Sequence, residues 1–397
     1  MKIPTPARIL TMNRGSSTLK AALYEADPQE KLVVSIKLDS GGSSGERLKI
    51  SDAQGETLVD SSGDAAKSGN GLESIFQWLD EQGYLANLSA VGHRLVHGGA
   101  RFEKPQQINA ETLVELKRLL PLDPEHLPQG LEGIRFIAEK LPEIPQIACF
   151  DTAFHHTLPE VARMYALPRA DYESGVRRYG FHGLSYEYIL GELRVLEGWL
   201  AKRIVVAHLG GGCSMAAIRD GKSVDTSMGF TPLEGLVMGT RSGDVDPGAL
   251  IYFLEQGKMS PDELNSHLNR KSGLLGVSGS SADMRDLVEK APNDAHAAEA
   301  IELFCYRAKK YLGAYAAVLG GLDVLVFTGG IGERAAQVRE KICAGLEFLG
   351  IQLDPQRNQV NAPLISRLGS SVKIRVIETN EDLMIARHVR SFLTRSE

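Results

Sequence analysis

The chain has 397 residues, 43% of them hydrophobic and 24% charged, the proportions of an ordinary globular protein and not of a disordered, collagen-like or coiled-coil one. That length corresponds to roughly two or three domains, large enough to fold without disulfide or metal staples. Lys and Arg number 44 against 50 Asp and Glu, a net charge of −6 with no long like-charge block, which argues against nucleic acid or an anionic membrane as a main partner.

The first residues, MKIPTPARIL, lack the apolar core of a secretory signal, and no apolar run reaches the ~18–20 residues that span a bilayer. Cys149, Cys213, Cys305 and Cys343 lie far apart and read as reduced, buried thiols, so a cytoplasmic protein is expected. The segment ARILTMNRGSSTLKAALYE from Ala7 returns as KRIVVAHLGGGCSMAAIRD from Lys202, with Arg203 falling on Arg8. Each copy reads as a strand, a small-residue turn and a second strand. A repeat at half the chain length predicts two related domains, each opening on a β-hairpin. Residues 39–71, rich in Gly, Ser and Asp, read as hairpins with loose connections. Helical periodicity covers 72–86, 111–120, 130–140, 185–201, 247–257, 295–319, 334–349 and 381–395, and buried strands are expected at 91–96, 146–150, 204–208, 324–327 and 372–377. This alternation predicts an α/β architecture with mixed sheets. Asp151 marks a boundary, giving domains 1–151 (joined by a C-terminal helix, 384–397) and 152–383.

The turns at 13–18 (NRGSST) and 208–214 (HLGGGCS) offer successive backbone N–H groups without bulky side chains, which suits an anion. Singly, such a turn is more often only a tight turn; at duplicated positions the phosphate reading is favoured. A third Gly turn, 328–333, follows the strand LDVLVF and opens a helix. Residues 330–335 also fit the dinucleotide fingerprint, with Asp354 further on, but one fingerprint so late in the chain is weak support for NAD. Two near misses fail. Residues 216–223 (AAIRDGKS) lack the first glycine of a phosphate-binding loop, and Asp220-Gly221 reads as a hairpin turn. His93 and His97 have metalloprotease spacing, but Arg94 replaces the required Glu and the segment reads as a strand.

Arginines sit among glycines in GHR (92–94), RRYGFHG (177–183) and GTRSGD (239–244), where a guanidinium suits a bound carboxylate or phosphate. Asp151, Asp225, Asp244, Asp246, Glu378 and Glu381 supply hard oxygen ligands for Mg²⁺, although most are expected to be structural.

Together, Asn13–Lys20, VGHRLVHGG, FDTAFHHTLP, RRYGFHGLS, TPLEGLVMGTRSGDVDPG, KSGLLGVSGSSADMRDL, FTGGIGE and TNEDLMIAR occur in the order of a known family. The chain resembles the acetate kinase family (acetate/propionate kinases) over nearly its whole length. That resemblance implies a duplicated actin/Hsp70/sugar-kinase-like (ribonuclease H-like) two-domain fold with a central cleft. It also implies ATP/ADP, Mg²⁺ (or Mn²⁺), a small carboxylate with its acyl phosphate, and a homodimer. By the same resemblance Arg94 and Arg241 bind the carboxylate and the phosphoryl group, His182 donates to that group, and Asp151 holds the family's proton acceptor/donor position. Asn13 and Glu381 match magnesium-linked positions and Lys20 an ATP contact. His208, Leu209, Gly210, Gly211 and Gly212, with Asp283, Met284 and Arg285 and with Gly329, Gly330, Ile331, Gly332 and Glu333, match the nucleotide segments. Val96, Leu122, Phe181 and Pro232 match the small apolar pocket for the acyl group.

The chemistry agrees with the resemblance. A carboxylic acid of pKa ~4–5 is already ionised at neutral pH, so Asp151 is expected to orient Arg94 more than to take a proton. Bringing one anion onto another then depends on alignment and charge compensation. The sequence departs from the family pattern at four places. Asp123 stands where a His usually follows Pro-Leu, with His126 nearby; Thr18 replaces a Ser; Gly211 and Arg334 each replace an Asn. These changes motivate an alternative, a catalytically weakened ATP-binding sensor of the same fold.

Overall fold

The computed structural model describes residues 7–15, 18–26, 29–39, 46–62, 71–198 and 202–394. Ser16 and Ser17 of the first glycine turn, parts of the 39–71 hairpin region and the ends of the predicted 185–201 and 381–395 helices lie outside them. The chain divides into two compact units, Met1–Ala153 with Asn380–Glu397, and Phe154–Thr379.

The first unit begins with a hairpin of β1 (Arg8–Arg14) and β2 (Thr18–Glu25), extended by β3 (Lys31–Asp39), β4 (Arg47–Asp52) and β5 (Thr57–Ser62). After α1 (Gly71–Glu81) come β6 (Leu88–Leu95), β7 (Gln106–Gln107), α2 (Ala110–Arg118), α3 (Leu127–Lys140) and β8 (Gln146–Phe150). The sheet order is β5-β4-β3-β2-β1-β6-β8-β7. Leu10, Leu23, Val34, Ile36 and Ile50 bury one face against Ile75 and Leu79 of α1. A second cluster joins Leu95 and Phe150, at the ends of β6 and β8, to Leu127 and Ile134 of α3.

The second unit runs through α4 (Glu160–Arg163), α5 (Arg169–Glu173) and α6 (Gly183–Glu197) to β9 (Arg203–Leu209), β10 (Cys213–Arg219) and β11 (Lys222–Thr226). Helices α7 (Pro247–Glu255), α8 (Pro261–Arg270), α9 (Gly273–Ser278), α10 (Met284–Lys290) and α11 (Ala295–Leu319) follow. Then come β12 (Val324–Thr328), α12 (Gly329–Arg334), α13 (Ala336–Cys343), α14 (Pro355–Gln359) and β13 (Lys373–Val376). The last helix, α15 (Glu381–Leu393), packs on β1 and β6 of the first unit. No described helix is long and apolar enough to cross a membrane.

The sequence repeat is a repeat of topology. The second sheet, β11-β10-β9-β12-β13, has the order of β3-β2-β1-β6-β8 in the first. In both, the opening hairpin is antiparallel, its first strand pairs in parallel with a third (β6 or β12), and that strand pairs in parallel with a fourth (β8 or β13). The α/β class and the mixed sheets are those expected. The predicted helix 72–86 stops at Glu81, because Gly83 turns left-handed (φ 69°) and a 3-10 turn takes over at Tyr84–Asn87. The predicted 334–349 helix divides, with α13 ending at Cys343 and Gly345 at φ 77°. Asp220 (φ 50°) and Gly221 (φ 78°) make the two-residue turn between β10 and β11, so AAIRDGKS is a hairpin.

Candidate active site

In the first unit, β6 and β8 run parallel with Arg94 beside Cys149 and Leu95 beside Phe150. The amide of Asp151 donates to the Leu95 carbonyl at 3.0 Å, continuing the ladder one step. Parallel strands therefore end together and set Arg94 and Asp151 side by side, at the carboxyl end of the sheet where α/β proteins bind ligands. Arg94 Nε donates to Asp151 Oδ1 (3.0 Å) and Oδ2 (3.1 Å), and Nη2 donates to Oδ2 (2.6 Å). The remaining Arg94 Nη1 donates to Asn13 Oδ1 at 2.9 Å. Asn13 lies near the end of β1, opposite Lys20 on β2, and its Nδ2 donates to Glu381 Oε2 at 3.0 Å. Glu381, the first residue of α15, also lies 3.9 Å from Arg94 Nη1.

Asp151 is fully buried, and the Arg94 side chain is 14% exposed. Burial opposes the charge on Arg94, yet Asp151 and Glu381 hold its pKa above the ordinary guanidinium value. Burial likewise pushes the Asp151 carboxyl up while Arg94 pulls it down. Asp382, absent from the sequence-based site, adds a further carboxyl: its buried Oδ1 has no hydrogen-bond partner among the described residues. Burial pushes it up to about 6, opposed by the Lys20 charge. Its only signal was its place in TNEDLMIAR, next to Glu381. Val96 is buried, and Leu122 closes a one-turn 3-10 segment, Leu120–Leu122. The unexpected Asp123 is 3% exposed, and its Oδ1 accepts from both His126 Nδ1 (2.9 Å) and the His126 amide (3.2 Å). Thr18 turns its hydroxyl to Asp39 Oδ1 at 2.8 Å.

In the second unit, His182 precedes α6 with a left-handed backbone (φ 59°), a conformation that costs a non-glycine residue about 1 kcal/mol. Its Nδ1 is hydrogen-bonded to Ser214 Oγ at 2.8 Å, and its ring stacks on His208 with centroids 4.2 Å apart. His208 Nδ1 is held by Ser185 Oγ (2.9 Å), which in turn meets Thr379 Oγ1 (2.9 Å). Ser214, Ser185 and Thr379 thus fix the two imidazoles. Ser214 stands in the second glycine turn, whereas the partners of Ser185 are distant in sequence. Arg241 Nη1 donates to the carbonyl of Pro232 at 3.2 Å. A Cβ at Gly212 would lie 3.3 Å from His182 Nε2 and 3.8 Å from Arg241 Nη1, so the glycine turn, His182 and Arg241 converge. Phe181 is buried beside them in sequence, its carbonyl bonded to His155 Nε2 at 3.0 Å.

The three nucleotide-like segments also meet. Gly329 has φ +74°, and a Cβ there would lie 2.7 Å from the Leu209 carbonyl oxygen, so only glycine lets the α12 turn approach β9. The Gly239 amide donates to the Gly211 carbonyl at 3.3 Å, and a Cβ at Gly239 would touch the Ala282 carbonyl at 3.2 Å, next to Asp283. Asp283 caps α10 by accepting from the Arg285 amide and pairs with the exposed Arg285 guanidinium, while Met284 is buried. Glu333 points inward, accepting from the amides of Gly329 (2.8 Å) and Thr379 (3.1 Å). Gly211 faces open space, and Arg334 lies 3.6 Å from Glu378 on the surface.

Other charged candidates have structural partners. Arg178 pairs with Glu234 and donates to the carbonyls of Thr226, Ser227 and Met228. The Asp225 carboxyl accepts from the Thr226 amide, Asp244 from Gly235 N and Tyr311 Oη, and Asp246 caps α7.

Known proteins resemble this chain over nearly its whole length. Residues 8–387 match the model of the Acetokinase family. An acetate kinase of Rhodopseudomonas palustris is 48% identical over 388 residues, 96% of this chain and 97% of that protein. One from Methylocella silvestris is 44% identical over 97% of this chain and 98% of its own length. Among solved structures, acetate kinase from Porphyromonas gingivalis aligns with a TM-score of 0.86 at 40% identity, covering 98% of this chain and 100% of that one. A propionate kinase from Francisella tularensis aligns at 0.89 and 39%, covering 96% and 98%. With a match from β1 into α15 that takes in Arg94, Asp151, His182, Arg241 and Glu381, the chain belongs to the acetokinase family.

Proposed function

We propose that the chain transfers the γ-phosphoryl group of ATP to a short-chain carboxylate, acetate or propionate, in a reversible, direct in-line reaction. A carboxylate oxygen forms the new bond to phosphorus as the bridging oxygen to ADP departs, giving an acyl phosphate. The observation that carries this reading is the buried Arg94–Asp151 pair linked through Asn13 to Glu381, in a chain of this family. A guanidinium locked by a carboxylate is preorganised for an anion and needs no reorganisation when charge moves. Arg94 receives the acid's carboxylate and Val96 and Leu122 border its alkyl end. His182 and Arg241 stabilise the phosphoryl oxygens, and the glycine segments around Leu209 and Gly329 hold the nucleotide.

A divalent cation, Mg²⁺, fits the first unit, where the Asn13 amide oxygen and the Glu381 carboxylate adjoin the partnerless buried oxygen of Asp382: hard oxygen donors suit that ion. Bound there, the metal supplies charge neutralisation for the phosphates. Two further proposals concern the whole molecule. Helix α7 exposes Ile251 (52%), Tyr252 (50%) and Leu254 (39%), which supports a homodimer. Four buried free cysteines support the cytoplasm.

The test is trapping of acyl hydroxamate from purified protein, ATP, Mg²⁺ and a panel of C2–C4 acids. Acyl phosphate from acetate or propionate is expected. No product from any acid, with ATP still bound, would leave only a nucleotide-binding protein.

A further inference from the structure

Within the first unit, one hydrogen-bonded carboxylate–imidazole pair has no place in the reaction described above. Asp123 is 3% exposed, its Oδ1 accepts from His126, and its Oδ2 is buried with no hydrogen-bond partner among the described residues. A carboxylate this deep keeps its charge only at a high cost unless another group answers it. The answering group is His126, the residue before α3, whose own side chain is 11% exposed. The two sit on the carboxylate site. Leu122 is the residue before Asp123, and Leu127 follows His126 into the cluster that contains Leu95 and Phe150, the neighbours of Arg94 and Asp151. A Cβ at Gly130, one turn into α3, would lie 2.6 Å from Leu95. His126 also acts electrostatically on Asp151.

Charge makes this placement consequential. Asp151, Glu381 and Asp382 already gather around Arg94 and Lys20, and the substrate to be bound is itself an anion. One more uncompensated carboxylate would compete with that substrate for Arg94. We propose that His126 is a positioning residue of the carboxylate site: held by Asp123, it offsets the charge that Asp123 brings to this region and so leaves Arg94 available to the acid. The inference rests on the carboxylate-phosphorylating reading and adds a residue pair specific to this chain's PLDPEH segment.

The experiment compares KM for acetate and for ATP in the wild type, His126→Asn, Asp123→Asn and the double variant, with melting temperatures alongside. Asparagine at 126 keeps a donor near the Nδ1 position, so the loop's own bond to Asp123 survives. His126→Asn is expected to raise the acetate KM by about tenfold, the effect of one uncompensated charge about 12 Å away at an effective dielectric of about 20. The ATP KM stays within about twofold, since the nucleotide segments belong to the second unit. Asp123→Asn, and the double variant that removes the carboxylate as well, are expected to return the acetate KM to within about twofold of the wild type. An acetate KM unmoved in His126→Asn overturns the proposal. So does a double variant as impaired as His126→Asn, because the loss then belongs to the imidazole's packing and not to charge. If His126→Asn does not fold, His126→Gln is read in the same way. A wild type that makes no acyl phosphate refutes the function itself, whereas a working wild type with a silent His126→Asn refutes only the positioning role.

Discussion

Replacing Asp151 by Asn tests whether that carboxylate orients Arg94 or moves a proton. Three N–H···O contacts of 2.6–3.1 Å join the pair, and Asp151 is fully buried. Removing one partner of a buried ion pair costs about 3–5 kcal/mol. Asparagine keeps the shape and one acceptor, and Glu381 remains 3.9 Å from Arg94 Nη1, so the low end applies, about 3 kcal/mol of stability; with Arg94 no longer held in place, kcat/KM is expected to fall roughly a hundredfold, the scale of losing one preorganised contact. Arg94→Ala removes the same interaction from the other side. The double variant should therefore be little worse than Arg94→Ala, with a coupling of about 2–3 kcal/mol in a double-mutant cycle. The assay is hydroxamate formation across pH 5.5–9, the range being about that in which the acid substrate stays ionised. Additive losses, together with an acid limb of the pH profile that disappears only in Asp151→Asn, would refute orientation and make Asp151 a proton carrier.

Arg241→Ala is expected to lower kcat/KM by at least a few kcal/mol of transition-state stabilisation; near-wild-type turnover would show that this guanidinium does not meet the phosphoryl group. Gly212→Ala puts a methyl 3.3 Å from His182 Nε2 and should lower kcat about tenfold with little change in melting temperature, while an unchanged kcat would remove the turn from the reaction. Val96→Ala should shift preference toward longer acids, read as the acetate-to-butyrate ratio of kcat/KM, and a constant ratio contradicts its placement. His93, bonded to Gln146, and His155 are buried, and burial pushes both from 6.5 down to about 4. The unfolded chain protonates them near 6.5 and the folded chain only near 4, so unfolding takes up protons and stability falls as pH drops through that window. The loss is about 3 kcal/mol for each. Urea midpoints should decline from pH 7 to 4.5, and His93→Asn should remove about half of the decline; a wild type flat across that range would contradict the burial argument.

Much of the site is legible in the sequence because strand ends are. The apolar run 91–96 carries Arg94 near its end and 146–150 is followed directly by Asp151, and parallel pairing brings those ends together. The half-chain repeat likewise corresponds to two sheets of one pairing order. What periodicity cannot convey is which partner a polar side chain finds through space. Asn13 and Glu381 meet across 368 residues of chain. Asp123 looks like a repulsive intrusion until His126 turns back onto it. Arg178 looks like an anion ligand in its glycine-flanked run, yet Glu234 and three carbonyls occupy it. Helices α8–α10 escape notice for a related reason: α8 is a polar helix set by its Ser260–Glu263 capping box and not by a long apolar stripe.

Because α15 closes the first unit, vectorial synthesis imposes an order on this protein. The ribosome completes β1 to β8 long before it makes Glu381, and Gly92 waits without the Ile385 and Val389 side chains that later press against it, where a Cβ would lie only 2.5 and 2.7 Å away. A nascent chain halted at Thr379 thus holds an unroofed β1–β6 face and Asn13 without its carboxylate, although every residue of Phe154–Thr379 is present. The unit encoded first is the one finished last, and quality control that trims the final helix would strip Glu381 from the first unit while leaving every residue of Phe154–Thr379 in place.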